Sequence, residues 1–232
     1  MLTDTLKSLM KLQVPLLLNK RLDLRKPGPQ IVNYNLADGD QAVYPQLLAP
    51  QRGTRIVAPA RGKGCKRGPG EQWLGFWIRR HRLKNFYDNQ ALRVGGHRYE
   101  PDLAYIDVER GIFIDIENDE PYTLGRRVPT HIAGRDDRRN RHFTEAGWIV
   151  LRFSERQCIT PPASVVRTVM DVVRSIAPDV EMPRALRGAG STSPEPRWDY
   201  PTACRHASSR YRDTYMDRHL PLYRIYRRIF AR

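Results

Sequence analysis

The sequence predicts an α/β domain of about 110 residues with basic extensions on either side, and three observations carry that assignment. Strand-length runs rich in β-branched and aromatic residues (ALRV, DLAYIDV, IFIDIE, WIVLRF) are interspersed with segments of helical period. Proline, glycine, asparagine and aspartate punctuate the boundaries between them. Outside this stretch the composition shifts to basic, glycine-rich or proline-rich segments without sustained period.

Residues 1–70 form an N-terminal basic extension. Its first thirty residues hold a short amphipathic helix interrupted by Pro27, Gly28 and Pro29, and RIVAP at 55–59 is a strand-like fragment. RGKGCKRGPG at 61–70 is a basic glycine-rich loop that does not satisfy GxxxxGK[ST]. Lys63, Lys66 and Arg67 are therefore read as contacts to a phosphate backbone and not as a nucleotide cradle. From Glu71 the pattern sharpens: Leu74, Trp77, Ile78 and His81 recur at helical spacing, with Arg79 among the basic residues of the other faces. After Asp88 and Asn89 come three strands, the last two joined by Glu109-Arg110-Gly111 as in a hairpin. Residues 121–134 read as a loop. A helix from about Asp136 to Ala146 then stops at Gly147, a residue suited to a C-cap. A strand over 148–153 and a helix over 163–176 complete a core spanning 71–177.

Residues 178–198, rich in proline, glycine and serine, read as a linker. Residues 199–232 read as a basic tail of interleaved arginine and tyrosine; from 184 onward eleven arginines face four acids. Arg224, Arg227 and Arg228 suit phosphate contact beside stacking aromatics. Tyr223, Ile225, Tyr226, Ile229 and Phe230 equally describe the apolar face of a docked helix, and the two readings are compatible.

A formal net charge of +15, from 40 Lys+Arg against 25 Asp+Glu, exceeds what solubility requires and points to a polyanionic partner, nucleic acid first. Cys65, Cys158 and Cys204 are widely spaced and offer neither a zinc motif nor a disulfide framework, so a reducing cytoplasm is expected. The apolar run VPLLL near the N-terminus is too short for a signal sequence or a membrane span, and no membrane partner is expected.

Against this charge, GIFIDIENDEPY at 111–122 concentrates four carboxylates, Asp115, Glu117, Asp119 and Glu120. Alternation along a strand turns Phe113, Asp115 and Glu117 one way and Ile112, Ile114 and Ile116 the other, with Asp115 and Glu117 about 7 Å apart along the strand. If this strand pairs as a hairpin with the one before it, Asp102, at the start of that preceding strand, comes beside Asp115 and Glu117. Three hard oxygen donors then converge, the environment Mg²⁺ prefers.

Pro101-Asp102 followed by Asp115-Ile116-Glu117 resembles the PD-(D/E)xK nuclease superfamily, and IDIENDEPY is similar to a bacterial branch written IDIEIDEPY, in which Glu replaces the usual Lys. Asp136, Arg139, Phe143, Gly147, Trp148, Val150, Arg152 and Phe153 follow D-x2-R-x3-F-x3-GW-x-V-x-RF, similar to very-short-patch-repair-like nucleases. The resemblance covers roughly residues 71–177. It implies a restriction-endonuclease-like core, a mixed central sheet flanked by helices, and Mg²⁺-dependent cleavage of phosphodiesters in DNA, with Mn²⁺ as a possible substitute. Asp102 and Asp115, with the backbone carbonyl of Ile116, would ligate the metal. Glu117, in the place of Lys, would orient a water, accept its proton or hold a second metal. Glu71 would be the acid many members carry on their first helix, and Arg139 would meet phosphate charge, with Arg138 among the nucleic-acid contacts. His131 and Gln157 are further candidates for supporting or phosphate-contacting roles. Many nucleases of this fold dimerise, which makes a homodimer a possibility.

The same residues admit alternatives. Glu71 also suits a helix N-terminus, and Asp136 with Arg139 also suits an i,i+3 ion pair. Asp119 and Glu120 suit a turn, or pairing with nearby arginines. The whole domain also admits two other roles, a nuclease fold kept only for binding nucleic acid, and a nuclease acting on RNA.

Overall fold

The computed structural model describes residues 30–64 and 67–220. The helix expected before Pro27 lies outside the described residues, as do Lys66, Arg224, Arg227, Arg228 and the apolar positions between 223 and 230.

The fold is α/β, built on a mixed five-stranded sheet. Strand β8 (Ile112–Asp119) is its centre, and β7 (Leu103–Asp107) pairs antiparallel with it as the Glu109-Arg110-Gly111 connection predicts. Strand β9 (Ile149–Ser154) lies parallel to β8 on the other side. Short strands β2 (Gln46–Leu48) and β4 (Phe86–Tyr87) close the edges, each antiparallel to its neighbour, β9 and β7 respectively. Parallel pairing of β8 with β9 requires a crossover, made by the 120–136 loop and helix α2 (Asp137–Glu145).

Every residue of β7, β8 and β9 is buried, because both faces of the sheet are covered. On one face Ile112, Ile114, Ile116, Ile149, Leu151 and Phe153 pack against helices α1 (Pro69–Arg80) and α4 (Pro162–Ile176). The helices contribute Leu74 and Ile78, and Val165, Val166, Val169 and Val173, the stripes their helical period predicts. On the other face Phe113, Ala104, Ile106 and Val150 pack with Phe143 and Ala146 around α2, with Trp148, and with Val32 and Ile56 from the N-terminal segment. Each fully buried isoleucine contributes about 1.5–3 kcal/mol, so the period-2 alternation fixes the register of the sheet. Gly147, at φ +81°, ends α2 in the left-handed conformation, and a Cβ there would stand 3.0 Å from Ile56 Cα.

Several segments differ from expectation. RIVAP forms no strand: Arg55 makes an isolated bridge to Ile31, and Ile56 is a core residue. The sheet instead takes β2 from residues 46–48, inside the segment expected as an extension; three residues are too few to show a period. ALRV lies in β5 (Gln90–Val94), which pairs with β3 (Ala60–Arg61) and β6 (His97–Tyr99) in a separate small sheet. The segment expected as a linker contributes buried Leu186 and Trp198, and its strand β10 (Glu195–Pro196) pairs with β1 (Val43–Tyr44). Helix α3 (Glu155–Ile159) follows β9, with Ser154 as N-cap accepting from Gln157 N. The tail carries helices α5 (Tyr200–Ser209) and α6 (Tyr211–His219), docked through Arg212 onto Glu155. Among the described residues no helix is long and apolar enough to cross a membrane.

Candidate functional site

The β7–β8 register sets Leu103 opposite Ile116 and Ala104 opposite Asp115, which brings the chain entering β7 beside Glu117. Asp102 N donates to Glu117 Oε1 at 3.3 Å, and Asn118 N donates to Asp102 Oδ2 at 2.8 Å. Asp115 is fully buried and Glu117 nearly so. Ile116 stands between Leu103 of β7 and Leu151 of β9, its side chain in the core. Hairpin pairing thus brings Asp102 to the end of β8 that carries Asp115 and Glu117, although the three carboxylates do not close within 4.8 Å of one another.

Helix α2 delivers the counterion. Arg139 donates through Nη1 to Asp115 Oδ2 at 2.8 Å and through Nη2 to Glu117 Oε1 at 2.7 Å. Its guanidinium carbon lies 4.6 Å from the Phe143 ring centroid and 5.9 Å from that of Tyr99. Asp136, one helical turn earlier, turns instead to Arg152 and His131, so the two helix residues serve separate partners.

Arg152 organises a second network beside the first. Fully buried in β9, it donates to Asp119 through Nε at 2.9 Å and Nη2 at 2.6 Å, to Asp136 at 2.9 Å and to Asn140 at 2.9 Å. Its Nη1 also approaches Glu117 Oε2 at 3.9 Å. His131 Nδ1 lies 3.0 Å from Asp119 Oδ1, and Tyr44 OH donates to Asp119 Oδ2 at 3.0 Å. Asp119 is therefore the last buried residue of β8, paired with an arginine, and not a solvated turn acid.

Asp119, His131 and Asp136 form the one cluster of three His, Cys, Asp or Glu residues, among those described, whose ligand atoms lie within 4.8 Å of one another. Arg152 Nη2 touches all three, at 2.6, 3.2 and 2.9 Å, and fills the place a metal ion would take. Burial opposes protonation of His131, but the Asp119 carboxylate outweighs it and, with Asp136, raises the imidazole pKa well above its ordinary value. A protonated ring offers no lone pair. Burial likewise works to raise Asp119, but Arg152 and His131 hold it well below the usual carboxylate range. This cluster is a closed ion network.

The carboxylates around Arg139 behave differently. Burial pushes Glu117 up to about 7, with Arg139 opposing and Asp115 adding to the shift. Burial, then the negative charges of Glu117 and Glu71, raise Asp102 well above its ordinary value. Glu71 is pushed up to about 7, chiefly by burial, with Glu120 and Glu117 contributing. In all three groups burial is the largest cause of the shift, and neighbouring carboxylates add to it.

The remaining candidates divide. Glu71 caps α1, its Oε1 accepting from Gly68 N at 3.1 Å, while still sensing Glu117 electrostatically. Gln157 is structural: its amide donates to Tyr44 O at 3.2 Å and Ser193 O at 2.9 Å, away from the carboxylates. Arg67 is held by Asp88 at 3.6 Å and Asn89 at 3.3 Å, its side chain 14% exposed, and Arg79 is half-buried. Lys63 and Arg138 are exposed.

Arg152 was visible in sequence only as a motif position, although a charge inside WIVLRF signals a buried partner. Asn118 was missed. Its buried amide has neither oxygen nor nitrogen partnered, and it lies where a Cβ on Gly70 would come within 2.7 Å. Comparisons of the chain with protein-family models, with curated proteins and with solved structures found no match.

Proposed function

We propose that this protein is a Mg²⁺-dependent DNA endonuclease with a restriction-endonuclease-like core. The observation that carries the proposal is the arrangement made by the β7–β8 hairpin, in which buried Asp115 and Glu117 share one strand face and Asp102 stands beside Glu117. An all-oxygen donor set fits Mg²⁺ or Mn²⁺. Asp102 and Asp115, with the Ile116 carbonyl, are the residues that would hold it. When bound, such an ion acidifies a water and offsets charge on a phosphate.

Glu117 takes the proton of an attacking water or orients it, a role suited to a carboxylate whose pKa lies near neutrality. Arg139 supplies the positive charge that a lysine in that strand position would otherwise give. Exposed Arg135, Arg138 and Arg141 flank it on and beside α2, and with the net charge of +15 they favour a nucleic-acid backbone as partner. Incubation of supercoiled plasmid with Mg²⁺ should yield nicked or linear DNA, and EDTA should abolish it; a parallel RNA substrate separates DNA from RNA specificity. No cleavage of either substrate contradicts the proposal.

A second reading has its own observation. Arg139 already bridges Asp115 and Glu117, as in a nuclease fold retained for binding alone. Nucleic-acid binding indifferent to EDTA, without cleavage, would favour it.

A further inference from the structure

Arg139 faces two incompatible demands in a nuclease of this design. It is the residue placed to meet phosphate charge, yet its guanidinium lies inside the carboxylate set, 2.8 Å from Asp115 Oδ2 and 2.7 Å from Glu117 Oε1. A divalent cation shared by those carboxylates needs the same oxygens. The two cations exclude each other.

The surroundings give the guanidinium a second seat. Phe143 and Tyr99 present their rings to it at 4.6 and 5.9 Å, and a guanidinium over an aromatic ring is held by the ring quadrupole. Both rings are fixed: Phe143 is fully buried, and Tyr99 OH is 2.9 Å from His142 Nδ1. The aromatic contact is independent of the carboxylates, so it remains available to the guanidinium when they are taken by another cation. No neighbouring arginine takes over the pairing, because Arg152 is committed to Asp119, Asp136 and Asn140 and comes no closer than 3.9 Å to Glu117.

We propose that Arg139 is an exchangeable internal cation, which bridges Asp115 and Glu117 in the metal-free protein and yields them to a divalent metal ion, its freed guanidinium then being available to a phosphate. The proposal rests on the assignment of Asp102, Asp115 and Glu117 as metal-holding carboxylates. Two consequences follow for the site. Arg139 lowers apparent metal affinity, because only the fraction of molecules with the guanidinium released can bind. By linkage, a phosphate that captures the freed guanidinium strengthens metal binding, and the metal strengthens phosphate binding by the same factor. The exchange keeps the site closed in the absence of substrate.

Calorimetric titration of the full chain with Mn²⁺ alone tests the exchange without any reference to cleavage. Arg139→Gln removes the competitor and should bind Mn²⁺ about ten-fold or more tightly than wild type. Asp115→Asn should lose the binding. Arg139→Lys, whose ammonium reaches one carboxylate at a time, should fall between wild type and Arg139→Gln, and it carries the test should Arg139→Gln not fold. If wild type binds Mn²⁺ through Asp115 and the Arg139 variants bind equally or more weakly, the exchange is wrong and the metal site stands. If neither wild type nor the Arg139 variants bind Mn²⁺, the metal site fails, and the exchange with it.

Discussion

Arg152 and Arg139 are both arginines set among the acids of β8, the first fully buried and the second partly exposed, and they differ in how those acids are balanced. Arg152 meets Asp119 and Asp136 through Nε and Nη2 and Asn140 through Nη1, so every guanidinium nitrogen is bonded, and His131 adds a second positive charge. Arg152→Ala removes the main partner of buried Asp119 and leaves it His131 alone as a counterion, a loss of about 3–5 kcal/mol that chemical denaturation should read directly. His131 has a pKa raised in the folded protein, so its stabilisation is complete below its ordinary value of roughly 6.5 and is lost as pH rises through the raised one. Thermal melts should therefore show wild type losing stability on the alkaline side, and His131→Gln, less stable at neutral pH, losing less there. At this scale the sequence was informative wherever the strand period alone decides direction: Asp115 and Glu117 face together because they are two apart. It was silent on partners. Helical spacing put Asp136 and Arg139 on one face, but which carboxylate each meets depends on where α2 crosses the sheet, a tertiary fact.

The elements that place the site are the β7–β8 hairpin and the helix that crosses back to β9. The hairpin was legible because both strands are bounded by turn residues and alternate cleanly, and α2 because Gly147 marks its end. Gly147→Ala forces a side chain into the left-handed region and against Ile56, costing about 1–3 kcal/mol. The same substitution should displace α2, so a fall in stability accompanied by weaker Mn²⁺ binding is expected, whereas stability lost with unchanged Mn²⁺ affinity would show the helix end to be independent of the site. The short strands β1, β2, β4 and β6 were not legible, since two or three residues carry no period and owe their conformation to the edge they pair with. Helix α3 did carry a signal, a capping box of Ser154 with Gln157, which sits so close to the end of β9 that the strand pattern obscured it.

Across the whole molecule, the segments that composition marked as linker and tail are tied into the fold. Arg212 donates to Glu155 through Nε at 2.6 Å and Nη2 at 2.5 Å and to Tyr122 O at 2.6 Å, and Tyr215 OH donates to Glu155 at 2.8 Å. Composition reads these residues as basic and solvated because the acid that buries Arg212 lies 57 positions away in the chain. A truncation that tests the tail must therefore leave residues through 220 intact. Deletion of 221–232, which removes Arg224, Arg227, Arg228 and Arg232, should reduce the slope of log K against log salt for duplex DNA by up to about 3.6. An unchanged slope would place the phosphate contacts on the folded body, with Arg135, Arg138 and Arg141 the first to examine.

The central claim is that the carboxylates gathered by the β7–β8 hairpin perform metal-dependent cleavage of DNA. The most direct measurement compares wild type with Asp115→Asn, a near-isosteric change at the fully buried strand position, on a defined duplex in Mg²⁺ with the products mapped. Wild type is expected to cleave and Asp115→Asn to be at least about 100-fold slower, since even residues that merely support a metal ligand typically matter 10- to 100-fold. Cleavage by Asp115→Asn at the wild-type rate would contradict the claim.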